Sequence, residues 1–139
     1  MPAPSPLTTF AFRLPPGADL KQELCQFVER QQLKAALVLT CVGSLTRVAM
    51  RYANRPDAAV RIGQFEILSL AGTLSAAGAH LHLCVADRDG VASGGHLMPG
   101  CVIYTTAEVV VAELTAVVFG RELDATYGFR ELVVAARQE

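Results

Sequence analysis

Apolar and polar positions along the chain change their period twice. In FAFRL (residues 10–14) they alternate, and Pro15-Pro16-Gly17 follow directly, which predicts a strand closed by a turn. Asp19 can then cap a helix, because its carboxylate accepts from the free N–H groups of a first turn. Leu20, Leu24, Phe27 and Val28 recur at helical spacing while Lys21, Glu23, Glu29 and Arg30 fall on the other side. The pattern predicts a helix over about residues 18–32.

From Lys34 onward the period shortens to that of strands. AALVLTCV (35–42) is a continuous apolar run, as expected of a strand buried on both faces, and Gly43-Ser44 is expected to break it. LTRVAMRY (45–52) sets Val48, Met50 and Tyr52 against Arg47, Ala49 and Arg51, the pattern of a half-buried strand. NRPDAA reads as a loop. Strands are expected at 64–75, 80–87, 101–119 and 130–136, the third of these bending or splitting because strands seldom run beyond about 10 residues. One early helix followed by many strands predicts an α+β fold, the helix packed on one face of a largely antiparallel sheet. A sheet face that one helix cannot cover calls for a partner subunit, so an oligomer is expected.

Length and composition narrow this further. The chain has 139 residues, enough for one domain with a real core; residues 1–9 read as a flexible leader and 10–136 as a single domain. Hydrophobic residues make up 52% and charged residues 18%, which excludes a disordered chain. The net charge of -1 argues against binding driven by phosphate neutralisation. Arg47, Arg51, Arg55 and Arg61 form a loose basic run, but Asp57 interrupts it. The four cysteines (Cys25, Cys41, Cys84, Cys101) form no CxxC pair, and three lie in apolar runs. The N-terminus lacks the layout of a secretion signal and no apolar run reaches about 18 residues, so a reduced cytoplasmic protein without a membrane span is expected.

All three histidines fall in AHLHLCVADRDGVASGGHL (79–97). On a strand His80 and His82 share one side while Leu81, Leu83 and Val85 take the other. DRDG (87–90) has turn chemistry, with Gly90 able to take positive φ, and the returning chain can bring His96 back toward the pair. Three imidazoles with a free fourth position suit Zn²⁺, and also Fe, Ni or Cu. The spacing alone leaves two readings open, a metal site and a chance pair of surface histidines. Cys84 is in phase with the pair, as a thiolate ligand or a small buried side chain. Asp87 and Asp89 read as turn formers rather than ligands.

GQFEILSLAGTLS, HLHLCVADRDGVASGGHLMPGCVIYTTAEVVV and RELDATYGFREL, with PPGADLKQEL and VGSL before them, together resemble the PPC (plants and prokaryotes conserved) domain, also called DUF296. The resemblance runs from about Phe10 to Val134. It implies a trimer of α+β domains whose HxH and GGH histidines hold a metal, zinc in most cases; here these are His80, His82 and His96. Plant members join the domain to AT-hooks and use a Gly-Arg-Phe-Glu-Ile stretch to contact other transcription factors. This sequence has no Arg-Gly-Arg-Pro core, and it reads Gly63-Gln64-Phe65-Glu66-Ile67, with Gln64 in place of Arg. A DNA-binding label would therefore rest on analogy.

The other residues of these motifs carry two readings each. Phe65, Ile67, Leu68 and Leu70 suit packing better than recognition. Glu66 and Glu108 stand in apolar strands, where a carboxylate needs a partner, as an ion pair or as an orienter of a ligand histidine. Gly94 and Gly95 either line a small anion pocket or make a tight turn. Three functions follow in order: a trimeric metal-binding module with a regulatory or small-ligand role, with a protein partner at Gly63–Ile67 left open; a three-His metal-dependent hydrolase or lyase; and a DNA-binding regulator.

Overall fold

The computed structural model describes residues 2–138; the first residue of the expected leader lies outside that range. The elements run β1 (Leu7–Leu14), α1 (Leu20–Arg30), β2 (Ala36–Arg51), β3 (Ala59–Ser75), β4 (Gly78–Ala86), β5 (Ala92–Leu97), β6 (Val102–Leu114), β7 (Val117–Leu123) and β8 (Arg130–Ala136). The fold is mostly antiparallel sheet with one short helix, as the change of period predicts. Thr8 and Thr9, read as leader, pair with Glu113 and Ala112 of β6 and so belong to the first strand.

Helix α1 starts where its cap dictates. The backbone N–H of Gln22 donates to Asp19 Oδ1 at 3.0 Å, and Gln32 ends the helix in a left-handed conformation (φ 53). Leu20, Leu24 and Val28 are buried against the sheet, and Phe27 packs its ring against Phe10 and Phe12 of β1. Asp19 Oδ2 also accepts from the N–H of Gly100 at 2.7 Å, tying the helix start to the loop before β6.

A six-stranded sheet has the order β1-β6-β2-β3-β4-β5, and β5 pairs a second time, with β2. The circuit β2-β3-β4-β5-β2 therefore closes on itself. Met50↔Leu97 and Arg51↔His96 make the closing contacts. Such curvature requires long strands that bend, and β2 and β3 run to 16 and 17 residues with register shifts between Leu45 and Arg47 and between Ile67 and Ser69.

Gly43-Ser44 does not break the chain as expected; β2 runs straight through it. A Cβ at Gly43 would collide with the carbonyl of Thr106 and the Cα of Ala107, so the glycine permits close contact between β2 and β6. Ser44 is buried there and its hydroxyl bonds to that of Thr105 (2.9 Å). The 101–119 segment splits as anticipated, at Thr115-Ala116, into β6 and β7.

β7 and β8 form a separate two-stranded ribbon. Val117 and Phe119 anchor it in a small cluster with Ala35 and Leu114. Glu113, a buried carboxylate that the strand pattern did not single out, holds this corner together. It accepts from the N–H of Lys34 at 2.8 Å and pairs with Arg137 at 3.3 Å. Among the described residues no helix is long and apolar enough to cross a membrane.

Candidate metal centre

The alternation of β4 places Leu81, Leu83 and Val85 in the core and leaves His80 and His82 on the opposite side. The turn that follows is built by Asp87, whose Oδ1 accepts from the N–H groups of Asp89 (2.9 Å) and Val91 (3.0 Å), while Gly90 takes φ 77. Those bonds, that of Val91 foremost, hold the Asp87 carboxyl below its usual range, with Arg61 adding an ion pair at 3.4 Å. The turn fixes a register in which Ala86 faces Ala92 and His82 faces His96.

Three imidazoles therefore meet on one surface. Their ring centroids stand 5.0 Å apart for His80–His82, 4.7 Å for His82–His96 and 5.4 Å for His80–His96. One nitrogen from each lies within 4.8 Å of the others. His80 and His82 are exposed and His96 is half-buried. Partial burial, joined by the charges of its neighbours His82 and Arg121, lowers the pKa of His80 from its ordinary value. Partial burial and then Arg51 do the same for His96. Both shifts favour the neutral imidazole, the form with a lone pair free for a metal.

Beside the histidines lies an open cleft of about 330 Å³ between β3, β4 and the ribbon. Ala71 and Gly72 form a low floor, and Arg121, Glu131 and Leu132 of the ribbon form the facing wall. Gly72 has φ 141, and a Cβ there would collide with the His80 carbonyl, so the floor stays without a side chain where β3 and β4 come closest.

Several residues weighed from sequence fall elsewhere. Glu66 and Glu108 are exposed, and neither forms an ion pair among the described residues. Glu108 lies between Arg13 and Val42 in the sheet and Glu66 between Ser44 and Ala86, so neither is a ladder neighbour of a histidine. Gly94 and Gly95 do not make a turn. They are extended residues of β5, and a Cβ on either would press on a carbonyl, of Leu83 at 3.0 Å or of Arg51 at 2.8 Å. Cys84 is half-buried opposite Gly94 and outside the histidine cluster. In the Gly63–Ile67 stretch Phe65 and Ile67 are buried, while Gly63, Gln64 and Glu66 are exposed; Gln64 donates to the Tyr104 hydroxyl at 3.4 Å.

Arg121 and Glu131 were not visible as site residues in the sequence. They sit about 40 and 50 positions beyond His80 on a ribbon whose placement no local pattern announces.

Comparison with known proteins agrees with this architecture. The profile of the Plants and Prokaryotes Conserved (PCC) domain matches residues 1–115. The chain is 46% identical over 134 residues to the "Bifunctional protein GlmU" of Synechococcus sp. (strain JA-3-3Ab), covering 93% of this chain but 22% of that protein. It thus spans about a fifth of the curated relative it matches. A hypothetical protein from Salmonella cholerae-suis superposes with a TM-score of 0.96 at 45% identity, over 98% of this chain and 99% of that one. A metal-containing protein from Archaeoglobus fulgidus superposes with a TM-score of 0.76 at 25% identity, over 91% and 93% of the two chains.

Proposed function

The chain belongs to the Plants and Prokaryotes Conserved domain family, and from that premise we propose that it is a metal-binding module. His80, His82 and His96 would hold a divalent ion, zinc by preference, beside a cleft that serves a regulatory or small-ligand role. The observation that carries this reading is the convergence of one nitrogen from each histidine within 4.8 Å. Neighbouring ligands of a tetrahedral zinc with Zn–N bonds of about 2.0–2.1 Å stand roughly 3.3 Å apart, which small rotations of three exposed or half-buried rings can reach. The donor set fits: three imidazoles, and no other His, Cys, Asp or Glu grouped with them among the described residues. A bound ion would supply Lewis acidity at its remaining position. The metal-containing relative from Archaeoglobus fulgidus supports the reading.

The module is proposed to act as a homotrimer in the cytoplasm. Val42, Ile62, Leu68 and Tyr104 stand 58%, 81%, 55% and 42% exposed on β2, β3 and β6, more apolar surface than a sheet usually leaves to water. Metal analysis of tag-free protein beside a His82→Ala variant tests the site, with about one ion per chain expected in the first and none in the second. Light scattering tests the assembly. Protein without metal in both samples would remove the metal reading.

One observation favours a second reading, a metal-dependent hydrolase or lyase. Glu131 lines the histidine cleft and is therefore a carboxylate available to move a proton there. A metal-dependent turnover lost in both His96→Ala and Glu131→Gln would establish it. Direct DNA binding has less support. Arg47 bonds to the Gly100 carbonyl, Arg51 to that of Arg55, and Arg61 to Asp87, so three of the four guanidinium groups of the basic run have partners within the fold. A salt titration of duplex binding decides that case.

A further inference from the structure

We infer that the cleft beside His80 and His82 binds a short-chain monocarboxylate, with Arg121 holding its carboxylate and Leu132 lining its apolar tail. The inference rests on the metal reading of the three histidines and adds the ligand class. Its starting point is the position of Arg121. One guanidinium nitrogen donates to Thr73 Oγ1 at 3.2 Å, and Thr73 is the direct ladder partner of His80. Cross-strand partners carry their side chains on the same side, about 5 Å apart at Cβ, so the guanidinium stands one side chain away from the His80 ring.

Arg121 is half-buried and has no carboxylate partner among the described residues. A guanidinium has five N–H donors, and the bond to Thr73 leaves several directed elsewhere. Their planar fork matches a carboxylate, and an ion held by the three histidines would give that carboxylate a second positive partner.

The lining selects among carboxylates by the tail they carry. Ala71, Gly72 and Leu132 supply an apolar floor and wall, and about 330 Å³ accommodates a few carbon atoms beyond the carboxylate.

Co²⁺ serves as the probe, because its visible absorption reports its ligands. Metal-free protein is loaded with Co²⁺, the stoichiometry is measured, and butyrate and acetate are titrated separately. Wild-type protein is expected to bind one Co²⁺ per chain and to show a saturable spectral change with butyrate. Arg121→Gln should keep its Co²⁺ but bind butyrate at least ~10-fold more weakly, the loss of a charge-assisted pair. Arg121→Lys should recover part of the affinity, and Leu132→Asn should narrow the preference for butyrate over acetate.

Loaded protein whose spectrum ignores butyrate overturns the inference and leaves the metal reading standing. So does an Arg121→Gln variant that titrates like the wild type. Failure to take up Co²⁺ at all, read before any carboxylate is added, defeats the metal reading and the inference together.

Discussion

His82 and His96 are direct cross-strand partners of β4 and β5, with ring centroids 4.7 Å apart. The same ladder position thus joins the two halves of a histidine motif separated by 13 residues. His80 reaches the group from two positions earlier on β4, so His82 is the member nearest to both others.

Replacing His82 with alanine should therefore weaken metal binding more than losing an outer contact, which costs about 10–100-fold. We expect at least ~100-fold, measured by competition with a chromophoric chelator. The ring is exposed, so the stability of the metal-free protein should change by less than about 1 kcal/mol. A large drop in the metal-free unfolding midpoint would show that His82 is instead a packing residue.

The metal-free protein should lose stability as pH falls below about 6.5. His80 and His96 have folded-state pKa values lowered by partial burial and nearby positive charge. The unfolded chain then takes up protons first, so their contribution is complete above the ordinary histidine pKa and is lost on acidification. Urea midpoints at pH 7.5 and 5.5 check this. A double variant, His80→Gln with His96→Gln, should flatten the difference.

Gly72→Ala should cost about 2–4 kcal/mol, combining strain at positive φ with a collision against backbone. Its φ is 141 and the added Cβ would meet the His80 carbonyl. Gly78→Ala, with φ 135 but open space around the site, isolates the strain and should cost about 1–2 kcal/mol. Equal losses in chemical denaturation would show that the β3–β4 approach does not require the glycine.

Thiol labelling should divide the cysteines by position. Cys25 is exposed on α1 and should react first in the native protein, although burial of part of its surface raises its pKa. Cys41 and Cys101 are buried, and desolvation pushes Cys41 up to about 11, so both should react only after unfolding. Mass spectrometry of peptides labelled at pH 8 reads the order. Early modification of Cys41 would mean that β2 opens in the native state.

Local patterns carried much of the architecture. The spacing of Leu20, Leu24 and Val28 identified the helix and its buried side, and Asp19 its first turn. Strict alternation in HLHLCV assigned each residue to the correct side of β4, because a strand admits only two. Asp87 and Gly90 announced the turn that sets the register of His96. Each of these rests on neighbours a few residues apart, which is the range over which backbone geometry acts.

Glycine was harder to interpret. Gly43, Gly94 and Gly95 read locally as breaks or turns, yet all three lie in strands and allow another strand to approach. The sequence records that a side chain is missing, and only the neighbouring backbone shows why. Carboxylates posed the same problem: Glu113, not Glu66 or Glu108, is the buried one, because burial depends on what β6 packs against at each position.

From its sequence alone this protein had its helix, its strands, its paired His80 and His82 and the turn leading to His96. The tertiary structure decided that β5 closes onto both β4 and β2, and that the β7–β8 ribbon brings Arg121 and Glu131 to the histidines. The physical reason is range. Hydrophobic period and turn chemistry act between near neighbours, whereas the cleft is assembled from strands whose meeting depends on the whole sheet curling and on one ribbon anchored by Val117 and Phe119.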